Sequence, residues 1–321
     1  MIELKKLPKI ELHLHLDGSV RPSTASELLN KDVTEEMIVK EDCKDLNEYL
    51  KKFDLPISIM QSKENLERIS YELACDLKND NVIYAEIRFA PIFHTKEGLT
   101  LEEVVESVLK GLKKVNIKTN LILCMMRGMS YKDNEKIIYL AKKYLGSGVC
   151  AIDLAGAEAL YKTKDYKELF ELSTKLDIPF TIHAGEADGI ESIKSALDFG
   201  TKRLGHGVKV TQSNDMIDTL INENVTLEVC PTSNLNTCIV DVYKKHPIKE
   251  LYDKKVSVTI STDNNTVSNI TLSDEYQKLM DNFDFSIEDF YQFNLNAINA
   301  AFINDEEKEE LKNILKKAYN K

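Results

Sequence analysis

Two of the six histidines in this 321-residue chain stand at alternate positions in the apolar run "IELHLHLDGS" (10–19). In a β-strand alternate side chains share a face, so His13 and His15 project side by side while Leu12, Leu14 and Leu16 point away. Two imidazoles on a rigid strand make half of a metal site. Further along, "TIHAGEADG" carries His183 with Glu186 three residues on, "RLGHG" carries His206, and "ISTDN" carries Asp263 and Asn264. Imidazole nitrogens with one carboxylate suit Zn²⁺. His13, His15, His183 and Asp263 would supply four protein ligands, with water as a fifth. Such a metal lowers the pKa of a bound water from ~15.7 towards ~7, giving hydroxide at neutral pH. Glu186 is better kept as an acid–base group than as a ligand. His206 could orient or deprotonate the attacking water, or bind a second metal.

For these residues to meet, the elements carrying them must end at one place. Strand-like runs cover 9–16, 82–90, 117–126, 148–156, 179–185, 203–208, 225–233 and 256–264. Between them lie stretches with helical spacing, among them 62–80, 99–116, 133–145, 165–177 and 190–200. Such alternation implies parallel pairing through helical crossovers. Eight units predict a (β/α)8 TIM barrel, with a doubly wound sheet as the competing architecture. In a barrel, catalytic groups sit at the C-terminal strand ends, which is where the histidines and Asp263 fall. A second metal would need a bridging anion, commonly a modified lysine ending strand four. "GVCAIDLAGAE" has no lysine, and its Asp153 is assigned no metal role, so one metal is expected. Nothing splits the chain, so residues 1–321 read as a single domain. The long excursion over 17–81 predicts a helical lid inserted after strand one. Residues 273–321 read as additional C-terminal helices ending in a charged, exposed tail.

Composition narrows the partners. Lys and Arg number 42 against 53 Asp and Glu, a formal charge of −11. That argues against nucleic-acid or anionic-membrane binding, which needs a basic footprint. The six cysteines are scattered and read as reduced and structural. The N-terminal stretch has no signal-peptide core, and no run reaches the ~18 apolar residues of a membrane span. A cytoplasmic protein acting on a small molecule, as a monomer or weak homo-oligomer, is expected.

Seven pieces in order, "ELHLHLDGS", "YAEIRFAP", "DLAGAE", "HAGE", "RLGHG", "EVCPTSN" and "STDN", closely resemble the adenosine/AMP deaminase family of zinc hydrolases. The resemblance spans nearly the whole chain. It implies hydrolytic removal of the 6-amino group of adenosine and 2′-deoxyadenosine, giving inosine, 2′-deoxyinosine and ammonia. By matching position, it implies zinc ligation by His13, His15, His183 and Asp263, and protonation of purine N1 by Glu186. His206 and the Asp263 carboxylate would hold the hydroxide and its proton. The Gly156 N–H would meet purine N3, and Asp17 the ribose. "LNEYLKKF" resembles a pocket-gating helix with Leu46, Tyr49, Leu50 and Phe53 along one face.

Two positions depart from the commoner family pattern. Asn264 stands where many members have a second aspartate; its amide can donate to purine N7 at any pH, whereas a carboxyl must be protonated to do so. Ala157 stands where an acidic residue is common, so any charge there is lost. The alternative substrates are other 6-aminopurines: adenine, N6-modified adenine nucleosides or aminodeoxyfutalosine. A catalytically inactive nucleoside-binding relative is a further alternative. His94, in a loop, and His246, read as a surface residue, are left out of the site. The ligand set predicts one zinc equivalent per chain by elemental analysis. His13→Ala and Asp263→Ala should lose metal and activity together; two equivalents, or none in active protein, would contradict it.

Overall fold

The computed structural model describes residues 4–40 and 43–321. Eight strands run in parallel: β1 (Lys9–His15), β2 (Val82–Phe89), β3 (Lys118–Met126), β4 (Val149–Ala155), β5 (Ile182–Ala184), β6 (Arg203–His206), β7 (Thr226–Val229) and β8 (Ser257–Ile260). They form two four-stranded arcs, β1-β2-β3-β4 and β5-β6-β7-β8. Parallel bridges Ile152↔Phe180 and Leu14↔Asp263 join the arcs at both seams and close the barrel. The strands read as near-continuous apolar runs because both faces are buried. The expected (β/α)8 barrel is the observed fold.

Strands of the second arc are shorter than expected, for local reasons. The run over 225–233 leaves the sheet at Val229, and Pro231 opens a helix, Pro231–Asn236. Proline lacks the ladder N–H and suits a helix's first turn. That switch turns Ser233 and Asn234 toward the barrel mouth.

The excursion after β1 holds short helices Pro22–Leu29, Thr34–Met37, Leu46–Leu50 and Asp54–Ile59, followed by the crossover helix Lys63–Asn79. Asp45 caps Leu46–Leu50 by accepting from the Glu48 N–H at 2.9 Å. After β8 come helices Leu272–Phe283, Ile287–Ala300 and Asp305–Ala318. The expected exposed tail is corrected here. Leu311, Leu315 and Tyr319 are buried, and the Tyr319 hydroxyl donates to the Pro8 carbonyl at 3.3 Å. Helical spacing on the last helix sets an apolar stripe against the core, leaving only Asn320 and Lys321 exposed beyond it. None of the six cysteines is paired. Among the described residues, no helix is long and apolar enough to cross a membrane.

Candidate active site

The seam between β1 and β8 builds the centre of the site. The His15 N–H donates to the Asp263 carbonyl at 2.7 Å, and the Asp263 N–H donates to the His13 carbonyl at 2.9 Å. Both imidazoles and the carboxylate are thus set by one backbone ladder. Asp263 holds φ of +64° and His206 +61°. This left-handed region is uncommon for any residue but glycine, though Asn, Asp and His adopt it more readily than the rest, and it persists where surroundings over-determine it.

The donor atoms converge. His15 Nε2 lies 3.4 Å from His183 Nε2 and 3.4 Å from Asp263 Oδ1, and His13 Nε2 lies 3.4 Å from the same oxygen. Ligand atoms at ~2.1 Å around a zinc ion stand roughly 3–3.4 Å apart. His13 Nε2 is buried with no hydrogen-bond partner. The four groups offer ligand atoms within 4.8 Å of one another, so the residues fit a single cation. A second trio, His13, His206 and Cys230, also converges but shares His13. Burial raises the Cys230 thiol well above its ordinary pKa, which opposes the thiolate a metal needs.

Carboxylates behind the ring fix it. Glu228 Oε2 accepts from His13 Nδ1 at 2.8 Å, and Asp153 Oδ2 lies 2.8 Å from His183 Nδ1. This turns each Nε2 toward the centre. Asp263 Oδ2 accepts from the Ser233 hydroxyl at 2.5 Å. Burial would raise the Asp263 carboxyl, but the close approach of His13 Nε2 and the surrounding imidazoles hold it below the usual carboxylate range. Arg88 binds Glu228 at 2.7 Å and Asp153 at 3.0 Å, so both anions are paired. Arg203 engages Glu228 and Glu86 in turn. Asp153 therefore touches a candidate ligand without itself facing the centre.

A cavity of about 280 Å³ opens above these groups. Small-molecule sites usually span ~300–1,000 Å³, so a compact ligand fits. His15, Asp17, Gly156, His183, Glu186, His206, Asp263 and Asn264 all line it, and His13 lies behind them. Leu46, Tyr49, Leu50 and Phe53 face it from the lid, as the resemblance of "LNEYLKKF" to a pocket-gating helix implies. Gly156 holds φ of +102°, a conformation that favours glycine and leaves its backbone open to the cavity. Asp17 Oδ1 is buried without a partner, and burial pushes this carboxyl up to about 7. Asn264 Nδ2 donates to the Tyr49 hydroxyl at 3.0 Å, which pairs with Ser268 at 2.9 Å. Among the described residues lining the cavity, the one cation is Arg127. Its terminal nitrogens are already donating to the Tyr161 and His183 carbonyls and to Thr163.

Glu186 sits on a loop held by a single carboxylate. Glu158 accepts backbone N–H groups from Gly185 (2.6 Å), Glu186 (3.0 Å), Ala187 (2.7 Å) and Asp188 (3.0 Å). The Ser192 hydroxyl adds a fifth donor at 2.5 Å. Burial first, then the Asp263 and Glu158 charges, raises Glu186 well above the ordinary carboxyl pKa. Glu186 Oε2 lies 3.6 Å from His206 Nε2. The position beside Ala157 thus carries a charge after all, one residue on at Glu158.

The family model described as adenosine deaminase matches residues 8–318. The chain belongs to the adenosine deaminase family. An adenosine deaminase of Clostridium perfringens is 40% identical, the match covering 97% of this chain and 98% of that protein. The Arabidopsis N6-mAMP deaminase structure superposes with a TM-score of 0.89 at 28% identity, covering 99% and 100% of the two chains. An adenine deaminase of Arthrobacter aurescens gives 0.89 at 23% identity over 98% and 100%, a likeness of fold. Like its relatives in the family, the chain is a hydrolase of C–N bonds.

Both histidines left out of the site are buried. His246 is 3% exposed, not a surface residue; its ring is enclosed against Asn234. The charged stretch around it, "YKKHPIKEL", hid this. His94 lies outside the cavity lining, with Nδ1 donating to the Met60 carbonyl at 3.1 Å. Sequence reasoning missed Glu158, Glu228, Arg88 and Ser233 altogether. For Arg88 and Glu228 the available signal was an ionisable residue inside an otherwise apolar strand, which must be partnered; Glu158, in the loop after β4, and Ser233, on the helix Pro231–Asn236, gave no such signal. Glu158→Ala should unmoor the Gly185–Asp188 loop and cut kcat by about 10²-fold or more, with metal content unchanged. Wild-type turnover by that variant would show that the loop holds without it.

Proposed function

We propose that this chain is a zinc-dependent deaminase of adenosine and 2′-deoxyadenosine, producing the inosine nucleosides and ammonia. The reading treats residues 1–321 as one catalytic domain, cytoplasmic, acting in purine salvage as a monomer or weak homo-oligomer. The observation that carries it is the cavity: a cation-ready set of three imidazoles and a carboxylate faces a carboxyl acid across a compact space. One zinc ion would be held by His13, His15, His183 and Asp263, and when bound it would acidify a coordinated water from ~15.7 towards ~7.

The remaining roles belong to the chain. Glu186, kept protonated by its surroundings, gives its proton to purine N1 and makes C6 electrophilic. His206 and Asp263 hold the attacking oxygen. Gly156 offers its N–H to N3, and Asp17 reaches the ribose. Asn264 has one amide hydrogen committed to Tyr49 and a second free for N7. The lid's apolar face shuts out water and covers the base. A 5′-phosphate would find no uncommitted cation in the lining and would meet Asp17 and Asp54 instead, which favours nucleosides over nucleotides.

Ammonia release from adenosine, 2′-deoxyadenosine, adenine, AMP and N6-methyladenosine, with and without chelator, tests the reading. The two nucleosides should lead, and the chelator should abolish turnover; a tenfold preference for AMP or adenine would overturn the substrate assignment. Glu186→Gln should keep metal and nucleoside binding while losing on the order of 10²–10⁴ in kcat. Wild-type kcat should fall as pH rises through the raised pKa of Glu186, because the acid form is the active one. Removing the N7 acceptor with a 7-deaza nucleoside should cost about 1–3 kcal/mol, roughly 5- to 150-fold, in wild type. Asn264→Ala should not discriminate between the two nucleosides; equal handling by wild type would remove Asn264 from the N7 contact.

A further inference from the structure

Three hydrogen bonds run inward from the barrel rim to His206, and their direction is set at the outer end. The Ile248 N–H, a backbone group that can only donate, meets His246 Nδ1 at 3.1 Å. That nitrogen must therefore keep a lone pair. Burial without a charged partner lowers His246 to about 3, so the ring is neutral and carries its one proton on Nε2. Nε2 lies 3.1 Å from Asn234 Oδ1, which accepts. The orientation of the Asn234 carboxamide is thereby fixed: its other end, Nδ2, is a donor and lies 3.1 Å from His206 Nδ1. A flipped amide would place Nδ2 against the Nε2–H of His246. It would also leave no donor for His206. Every member of the chain is buried, so a mismatch would be costly.

The geometry points to His246 and Asn234 as positioning residues that hold His206 in the Nε2–H form. An amide N–H at Nδ1 leaves no room for a proton there, which excludes both the other tautomer and the imidazolium. The one proton of His206 then stands on Nε2, the nitrogen that faces Glu186 and the cavity. In the proposed deaminase, His206 donates a hydrogen bond to the attacking oxygen and orients it; it has no lone pair at Nε2 with which to take a proton. Of the roles open at the sequence level, orienting the water remains, while deprotonating it and binding a metal through Nε2 do not. The inference rests on the deaminase reading only for what Nε2 faces. The polarity of the chain does not depend on it.

Two-dimensional ¹H–¹⁵N spectra of the metal-loaded enzyme, reading both ring nitrogens of each histidine, test it directly. Signals are assigned by losing one at a time in His206→Gln and His246→Gln. His206 and His246 should both show a protonated Nε2 and a bare Nδ1. Asn234→Asp, when ionised, presents only acceptors, so His206 should become protonated at Nδ1, and kcat should fall on the order of 10²–10⁴-fold. KM should change far less. His246→Ala should blur the His206 tautomer and lower kcat, and His246→Gln, whose amide can still donate to Asn234, should restore both. A wild-type His206 protonated at Nδ1, alone or at both nitrogens, overturns the inference. So does Asn234→Asp, ionised, with Nδ1 still bare. If the variants do not fold, the wild-type spectrum alone decides. An enzyme active on adenosine with an Nδ1–H His206 refutes this chain alone. An Nε2–H His206 in a protein inactive on every purine refutes the deaminase reading and leaves the chain standing.

Discussion

Closure of the barrel between β1 and β8 is the constraint on which the rest depends. Two backbone hydrogen bonds, His15 to Asp263 and Asp263 to His13, make that seam. They also bring both histidines of "HLH" to the carboxylate of "STDN", more than two hundred residues away in the chain. The Glu11 carboxylate reinforces the seam by accepting from the Thr262 N–H at 3.1 Å and hydroxyl at 2.9 Å. Fold closure and site assembly are therefore one event. A barrel that failed to close here would have no centre to bind at.

Beneath the centre, the interior is unusually ionic. Arg88 and Arg203 are completely or nearly buried, each bound to two carboxylates, with Glu228 shared between them. Buried ion pairs of this kind are weak evidence for stability, since desolvation offsets most of the attraction. Their value here is orientation. Glu228 and Asp153, held anionic by Arg88, lie against the Nδ1 atoms of two histidines and point the opposite nitrogens inward. The same logic of outer group fixing inner group reappears at Glu158, which arranges a loop, and in the path from Ile248 to His206.

Much of this was legible in the sequence because it follows from periodicity. The period of two put His13 and His15 on one face, and strand ends located His183, His206 and Asp263; the lid's apolar stripe came instead from the resemblance of "LNEYLKKF" to a pocket-gating helix. What escaped were residues whose meaning depends on long-range partners. His246 sits in a lysine-rich stretch that reads as surface, yet the turn before Ile248 folds it inward onto Asn234. Glu158 follows the alanine that attracted attention, and nothing local shows that it gathers a loop thirty residues on. Strand lengths in the second arc were overread because apolar, β-branched runs continue into turns and, after Cys230, into a helix opened by Pro231. Leu311, Leu315 and Tyr319 were overlooked because the charges between them dominate the tail's composition.

The lid carries an energetic consequence. Its inner helix, Leu46–Leu50, has five residues, too few to persist unaided in water. It is held by what lies below: the Tyr49 hydroxyl on Asn264 and Ser268, and an apolar underside facing the cavity. Lifting it would wet Leu46, Tyr49, Leu50 and Phe53 at a cost of about 25 cal/mol per Å² of apolar surface exposed. These contacts favour the covered arrangement, and uncovering the cavity would break them. Because Tyr49 grips the Asn264 amide, lifting the lid would also free that amide. One tyrosine hydroxyl thus ties the cover of the cavity to a side chain in its lining.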